Sequence, residues 1–99
     1  MESTKNEIGE IIRREVRAAD GYEYVYELIM NESRQLVSFK LPLYSISVKM
    51  SRDGESLTYA KADEIFSNEE KAISFFNRIV ENLATPIDLA YVLEDALAT

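Results

Sequence analysis

The chain has 99 residues, and its 18 acidic and 11 basic side chains give a formal net charge of −7. This balance disfavours binding to nucleic acid or to an anionic membrane, because both need clustered cations. There is no Cys or His, which excludes disulfides, thiol nucleophiles, imidazole bases and the usual zinc sites. We expect one cytoplasmic domain, since MESTKNEIGEIIRRE lacks the apolar core of a secretory signal and no apolar run could span a bilayer.

Motifs for phosphate binding and for nucleophilic catalysis are missing from the sequence. The three glycines fit neither GxGxxG nor GxxxxGK, and there is no GxSxG or SxxK. Carboxylates at 63–64 and 69–70 lie near a predicted helix start, which explains them better than a cation site does. We therefore predict no catalytic, cofactor-binding or metal-ligating residue, and no cofactor.

Residues 12–18 alternate apolar and charged side chains, which is typical of a strand. Arg14 interrupts the apolar side and indicates an edge strand. A helix is the competing interpretation, since the apolar residues between 8 and 16 also fit a helical spacing. We favour the strand because Asp20-Gly21 follows it, and this dipeptide suits the positive φ angles of a two-residue hairpin turn.

A row of tyrosines marks the next predicted strand, YEYVYELIM. Tyr22, Tyr24 and Tyr26 share one face with Leu28 and Met30, and we expect that face to meet the core. A platform for stacking bases is the alternative, but such platforms normally come with Lys and Arg, whereas glutamates alternate with these tyrosines.

Two further strands are predicted around a second Asp-Gly turn at 53–54. In SFKLPLYSISVKM the alternation changes phase beside Pro42, which indicates a bulge or a break. From Tyr44 onward the pattern is regular, so the apolar residues should be buried, and the serines at 45, 47 and 51, with Lys49, should face solvent. Residues 57–61 should return as a fourth strand and complete an antiparallel meander.

Two helices are predicted after the strands. Ser67-Asn68-Glu69-Glu70 matches a capping box with Ser67 as the N-cap, and the apolar residues from 72 to 83 cover one face of the helix that follows. The second helix begins with Thr85 as its cap, Pro86 in its first position and Asp88 suited to its dipole.

The second helix, in TPIDLAYVLEDALAT, carries more apolar surface than docking requires. One broad face can pack on the domain and comprises Leu89, Val92, Leu93, Ala96 and Leu97, extended by Ala90. Ile87 and Tyr91 lie on a separate narrow stripe, which is flanked by Asp88, Glu94 and Asp95.

Three interpretations of this stripe remain open. The two helices could pack on each other and bury it as core. The stripe could form a homodimer interface, where tyrosine is enriched. It could also dock another protein, with Asp88, Glu94 and Asp95 setting the choice of partner. Ile87, Tyr91 and the three acids are therefore our candidate interface residues.

The order of these signals resembles a small family of uncharacterised bacterial proteins. The resemblance covers roughly residues 20–97 and rests on YEYVYEL, YSISV, EIFSNEEKA and, most specifically, NLATPIDLAYVLED. That family is a domain of unknown function found mainly in anaerobic spore-forming Firmicutes. The resemblance implies a bacterial, cytoplasmic protein and transfers no functional residue.

We predict a single α+β domain spanning 1–99, an antiparallel meander of about four strands with two C-terminal helices packed on one face. Residues 1–10 are a candidate disordered segment, 11–62 form the meander, and 67–84 and 86–97 form the helices. The favoured function is a non-catalytic protein-interaction module that binds another protein or itself. The alternative is a small-molecule binder or an acid-dependent enzyme with a pocket between sheet and helices. The predicted core comprises Tyr24, Tyr26, Leu28, Tyr44, Ile46, Val48, Phe76, Ile79, Leu83, Leu89, Val92 and Leu93.

Overall fold

Four strands precede two helices in the computed structural model, which describes residues 9–32 and 42–97 except for the side chain of Glu32. The elements are β1 (Glu10–Ala19), β2 (Tyr22–Glu32), β3 (Pro42–Arg52), β4 (Glu55–Phe66), α1 (Glu69–Glu81) and α2 (Pro86–Leu97). The strands form one antiparallel sheet in the order β1-β2-β3-β4. The α+β meander with two C-terminal helices is therefore confirmed. Residues 1–10 were a candidate disordered segment, and residues 1–8 of it lie outside the described residues. Glu10 is the first residue of β1.

Both Asp-Gly dipeptides form the predicted hairpin turns. Asp20 and Gly21 have φ angles of 54° and 85°, and Asp53 and Gly54 have φ angles of 53° and 83°. Two successive positive φ angles define the type I′ turn, whose twist matches that of the flanking strands. The turns thus set the register next to each turn, and β-bulges shift it further along both hairpins.

The first segment is a strand and not a helix, and it lies at the edge of the sheet. Its register with β2 shifts between Ile11 and Arg13, so Ile12 occupies a bulge. This bulge turns Ile12 toward the core, against which it is partly buried. Ile11 and Val16 pair with Ile29 and Val25 on the sheet face away from the helices, so the apolar residues from 11 to 16 do not share one face.

The core lies between the sheet and the helices, and the tyrosine row of β2 faces it as predicted. Tyr26 and Leu28 are fully buried, and Tyr24 is nearly so. The helices pack on β2, β3 and β4. None of the helices in the described ranges is long and apolar enough to cross a membrane. The buried hydrophobic residues are Tyr24, Tyr26, Leu28, Tyr44, Ile46, Val48, Ala72, Phe75, Phe76, Ile79, Val80, Ala84 and Leu89.

The serines of β3 are buried, so the prediction that they face solvent is wrong for Ser45, Ser47 and Ser51. They lie on the sheet face away from the helices, but β3 is an inner strand whose neighbours carry longer side chains. Ser47, for example, is paired with Glu27 on one side and Lys61 on the other. The Oγ of Ser45 also accepts a hydrogen bond of 2.8 Å from the backbone N–H of Glu64.

The cap of α1 is Asn68 and not Ser67. The Oδ1 of Asn68 accepts a hydrogen bond of 2.9 Å from the backbone N–H of Lys71. Strand β4 extends to Phe66, well beyond the predicted end at residue 61, and the start of the helix moves accordingly. Serine and asparagine are both strong caps, so composition alone could not choose between neighbouring positions.

Leu83 was predicted in the core but is 38% exposed. It has a φ of 52° directly after the α1 cap residue Asn82. The N–H groups of Leu83 and Ala84 donate to the carbonyls of Val80 and Ile79, which is the hydrogen-bond pattern of a Schellman motif. Because the chain reverses its twist here, Leu83 leaves the apolar face and Ala84 is buried instead. Val92 and Leu93, also predicted in the core, pack against it but are only partly buried.

Candidate interaction surface on the second helix

A reciprocal cap fixes where α2 begins. The backbone N–H of Asp88 donates to the Oγ1 of Thr85, and the backbone N–H of Thr85 donates to the carboxylate of Asp88, both at 3.1 Å. Thr85 therefore caps the helix as predicted, with Pro86 in its first position. Asp88, one of our candidate interface residues, is thus already engaged in holding the helix start.

Fewer residues of α2 are buried than its apolar pattern predicts. Only Pro86 and Leu89 are buried, and Leu97, which belongs to the predicted docking face, is 57% exposed. Ile87 and Tyr91 are 69% and 68% exposed, on successive turns of the side away from the sheet. The interpretation that both stripes are core is therefore wrong, because the two helices do not cover these side chains.

The acids around the stripe differ in their contacts. The carboxylate of Asp95 accepts a hydrogen bond of 3.1 Å from the guanidinium of Arg78 on α1. This pair is exposed and holds the two helices together only weakly. Glu94 is exposed and, by helical spacing, lies one turn beyond Ala90 and beside Tyr91. Of the three predicted flanking acids, two are thus engaged within the domain.

A small apolar notch lies beside the stripe, between α2 and the edge strand β4. Its volume is about 260 Å³, and alanines on both elements leave the space open. Ala60 and Ala62 contribute from the strand and Ala90 from the helix. The notch was not predicted from the sequence, because it exists only where β4 and α2 meet. The alanines at 60 and 62 were the available signal. Its lining comprises Ala60, Lys61, Ala62, Ile65, Pro86, Leu89, Ala90 and Leu93.

A second cleft, of about 310 Å³, opens between α1 and the end of β4. The rings of Phe66 and Phe75 line it, with their centroids 5.4 Å apart. Lys71 and Arg78 bring cations to its lining, next to Ser74. Neither this cleft nor the notch is lined by Asp or Glu.

The face of the sheet away from the helices also exposes apolar side chains. Ile11, Val16 and Tyr59 are each about half exposed there. Charged residues separate them: Arg14 contacts Glu27 at 3.2 Å in the row between Ile11 and Val16. Scattered apolar residues of this kind are ordinary on a protein surface. The stripe on α2 is the more concentrated feature.

The tyrosine row of β2 is structural and does not form a binding platform. The hydroxyl of Tyr26 donates a hydrogen bond of 2.9 Å to the backbone carbonyl of Ala84. Burial, and to a lesser extent Tyr24 and Asp88, raise the pKa of Tyr26 to about 12, although Arg17 opposes the shift. Burial and the charge and hydrogen bond of Glu69 also raise the pKa of Tyr44. Both hydroxyls tie the sheet to the helical layer.

Metal binding finds no support among the described residues. Within residues 9–32 and 42–97, no group of three or more Asp or Glu side chains is placed to hold an ion. Lys61 pairs with Asp63 at 3.2 Å on the surface. The carboxylates at 69–70 lie in the first turn of α1, where they suit the helix dipole.

Comparison with known proteins identifies a family but no characterised relative. A family model described as a family of unknown function (DUF6514) matches residues 7–99. No curated protein matches the chain, and no solved structure matches it. The match agrees with the resemblance to a domain of unknown function, whereas the bacterial distribution of that resemblance stays a prediction. The chain belongs to DUF6514, a family of unknown function.

Proposed function

We propose that this protein is a non-catalytic interaction module of the bacterial cytoplasm and that it binds a protein partner through the outer face of α2. The exposure of Ile87 and Tyr91 carries the proposal. Two large apolar side chains on successive turns cost free energy when they stay in water, and covering them with a partner recovers it. Tyrosine is also among the residues enriched at interface centres.

The way α2 is held supports this role. Its start is fixed by the Thr85–Asp88 cap, and Leu89 anchors it in the core. The backbone under Ile87 and Tyr91 is therefore ordered before any partner arrives. A preformed surface loses less conformational entropy on binding than a segment that must fold first.

Crosslinking from position 91 tests the proposal in the cells that produce the protein. Tyr91 is replaced by the photoreactive residue p-benzoylphenylalanine, and the cells are irradiated. We expect a covalent adduct with another polypeptide chain, because residue 91 would lie inside the interface. The matched control places the same residue at Asn77, which is exposed on α1. Absence of an adduct from position 91, or equal adducts from both positions, would contradict the proposal.

A second candidate function is the binding of a small anionic aromatic molecule. It is favoured by the cleft at the end of β4, which combines the Phe66 and Phe75 rings with the cations of Lys71 and Arg78. Lys71 would hold the anionic group, because the guanidinium of Arg78 already contacts the carboxylate of Asp95 at 3.1 Å. Titration of benzoate into the labelled protein should shift the backbone amide resonances of Lys71 and Ser74. Shifts confined to residues outside the cleft would exclude it.

A further inference from the structure

Strands β1 and β4 form the two edges of the sheet, and they differ in how well they are protected against pairing with another strand. The side chains of Arg13, Glu15 and Arg17 lie on the helix side of β1, opposite core residues of β2. Inward-pointing charges and bulges, such as the one at Ile12, keep an edge strand from pairing. Strand β1 is therefore a poor site for a further strand.

The middle of β4 lacks this protection. Its register with β3 is regular over residues 58–62 and shifts on either side of them. The helix side of this stretch carries only the uncharged side chains of Thr58, Ala60 and Ala62. Helix α2 does not fill the space above them, because Ala90 and these alanines leave the notch of about 260 Å³ open. Among the described residues β4 pairs with β3 alone, so the other backbone edge of 58–62 has no strand partner there.

We propose that residues 58–62 pair with the same residues of a second copy, antiparallel about a two-fold axis at Ala60. The bulges set this register. Because the regular stretch has five residues, all five pair only when the axis passes through the middle one. The four strands of each copy then form one sheet of eight. This contact uses neither Ile87 nor Tyr91, so it goes beyond the proposed function and is independent of it.

The side chains of the stretch are compatible with this register. Tyr59 and Lys61 lie on the outer face of the sheet, opposite Lys49 and Ser47 of β3. Across the axis, Tyr59 of each copy lies opposite Lys61 of the other, and an ammonium group near an aromatic ring is attracted to it. An axis at Lys61 would instead place two lysines directly opposite, which destabilises a strand pair. The axis at Ala60 is therefore favoured by charge as well as by length.

The short length of the pairing sets its expected strength. Five strand residues span about 17 Å, so the contact lies at the small end of specific interfaces. Association also costs translational and rotational freedom, which a small contact offsets only in part. We therefore expect a reversible dimer with a Kd in roughly the high micromolar range.

Single-cysteine crosslinking tests the register, because the chain has no cysteine of its own. Residues directly opposite in an antiparallel pair have Cα atoms about 4.5–5.5 Å apart, which a disulfide can bridge. Under mild oxidation Ala60→Cys should form a disulfide-linked dimer with itself. Thr58→Cys and Ala62→Cys should not do so alone, since two copies of either residue lie about 13 Å apart. The two variants should crosslink when they are mixed, because residue 58 lies opposite residue 62.

A matched control on the protected edge is Ala18→Cys, an exposed alanine of β1, which should give no more dimer than Thr58→Cys alone. Equal yields from Ala18→Cys and Ala60→Cys would overturn the proposal, because random collisions produce that pattern. Sedimentation equilibrium of the wild type is the second measurement and should show a dimer that grows with concentration. A wild type that stays monomeric up to millimolar concentrations would overturn the dimer whatever the variants do.

Discussion

Helices α1 and α2 are similar in length, with 13 and 12 residues, but they use their apolar residues differently. In α1 the apolar residues form one face, and nearly all of that face is buried. In α2 only two residues are buried, and the apolar side chains at 87, 91 and 97 are exposed. The sequence of α1 is explained by the fold of the domain. Helix α2 carries more apolar side chains than the fold buries, so we look for the function on its exposed apolar residues.

The largest test of this contrast compares truncations in the two helices. Phe76 on α1 is 1% exposed, and Phe76→Ala should lower the free energy of unfolding by about 3–5 kcal/mol. Ile87→Ala on α2 should change it by less than about 0.5 kcal/mol in the monomer, because its side chain lies in water. Urea unfolding at low protein concentration measures both. A loss above about 2 kcal/mol for Ile87→Ala would mean that the residue belongs to the core.

Alkaline pH probes the contact between β2 and the start of α2. Between pH 10 and 12 Tyr26 ionises in the unfolded chain but stays protonated in the folded one, because its folded pKa is about 12. Raising the pH therefore favours unfolding, by at most about 1.4 kcal/mol per pH unit in this window, and has no effect through this group below it.

Tyr26→Phe is the matched variant for the pH effect. It removes the hydrogen bond to the Ala84 carbonyl and should lower the free energy of unfolding by about 1–2 kcal/mol at neutral pH. Its stability should then fall less steeply above pH 10. Some decline should persist, since the pKa of Tyr44 is raised as well. If the variant lost stability above pH 10 as steeply as the wild type, the pH dependence would not come from Tyr26.

Capping variants compare how the two helices begin. Asn68→Ala at α1 and Thr85→Ala at α2 should each cost about 1 kcal/mol, because each leaves a backbone N–H without its partner. Ser67→Ala, next to the true cap of α1, should change the unfolding free energy by less than about 0.5 kcal/mol. Chemical denaturation of the three variants side by side measures these changes. A larger loss of unfolding free energy from Ser67→Ala would mean that Ser67 is the cap.

The smallest expected effect concerns the junction between the helices. Leu83 holds a φ of 52°, which glycine adopts without the steric cost that a side chain carries. Leu83→Gly should therefore stabilise the protein by about 0.5 kcal/mol, after the extra entropy of glycine in the unfolded chain is subtracted. Thermal unfolding measures this shift. A destabilised variant would show that the contacts of the partly exposed Leu83 side chain stabilise the fold by more than the strain of its positive φ costs.

Local patterns predicted the fold well where each residue's neighbours in sequence decide its conformation. The Asp-Gly turns, the tyrosine face of β2 and the apolar face of α1 are of this kind. The errors lie where elements meet: the burial of Ser47 depends on longer side chains from two other strands, and the exposure of Leu83 depends on a reversal of the backbone. The stripe of Ile87 and Tyr91 was identified from sequence, but the adjoining notch needs both β4 and α2 in place.

The most direct measurement is the solution mass and unfolding free energy of the double variant Ile87→Ser/Tyr91→Ser beside the wild type. Light scattering after size exclusion, at concentrations up to the millimolar range, gives the mass. We predict that the variant stays folded, with the solution mass and the unfolding free energy of the wild type, because both side chains are exposed and lie outside the β4 edge. A variant that loses its fold would contradict the account, because both residues would then belong to the core.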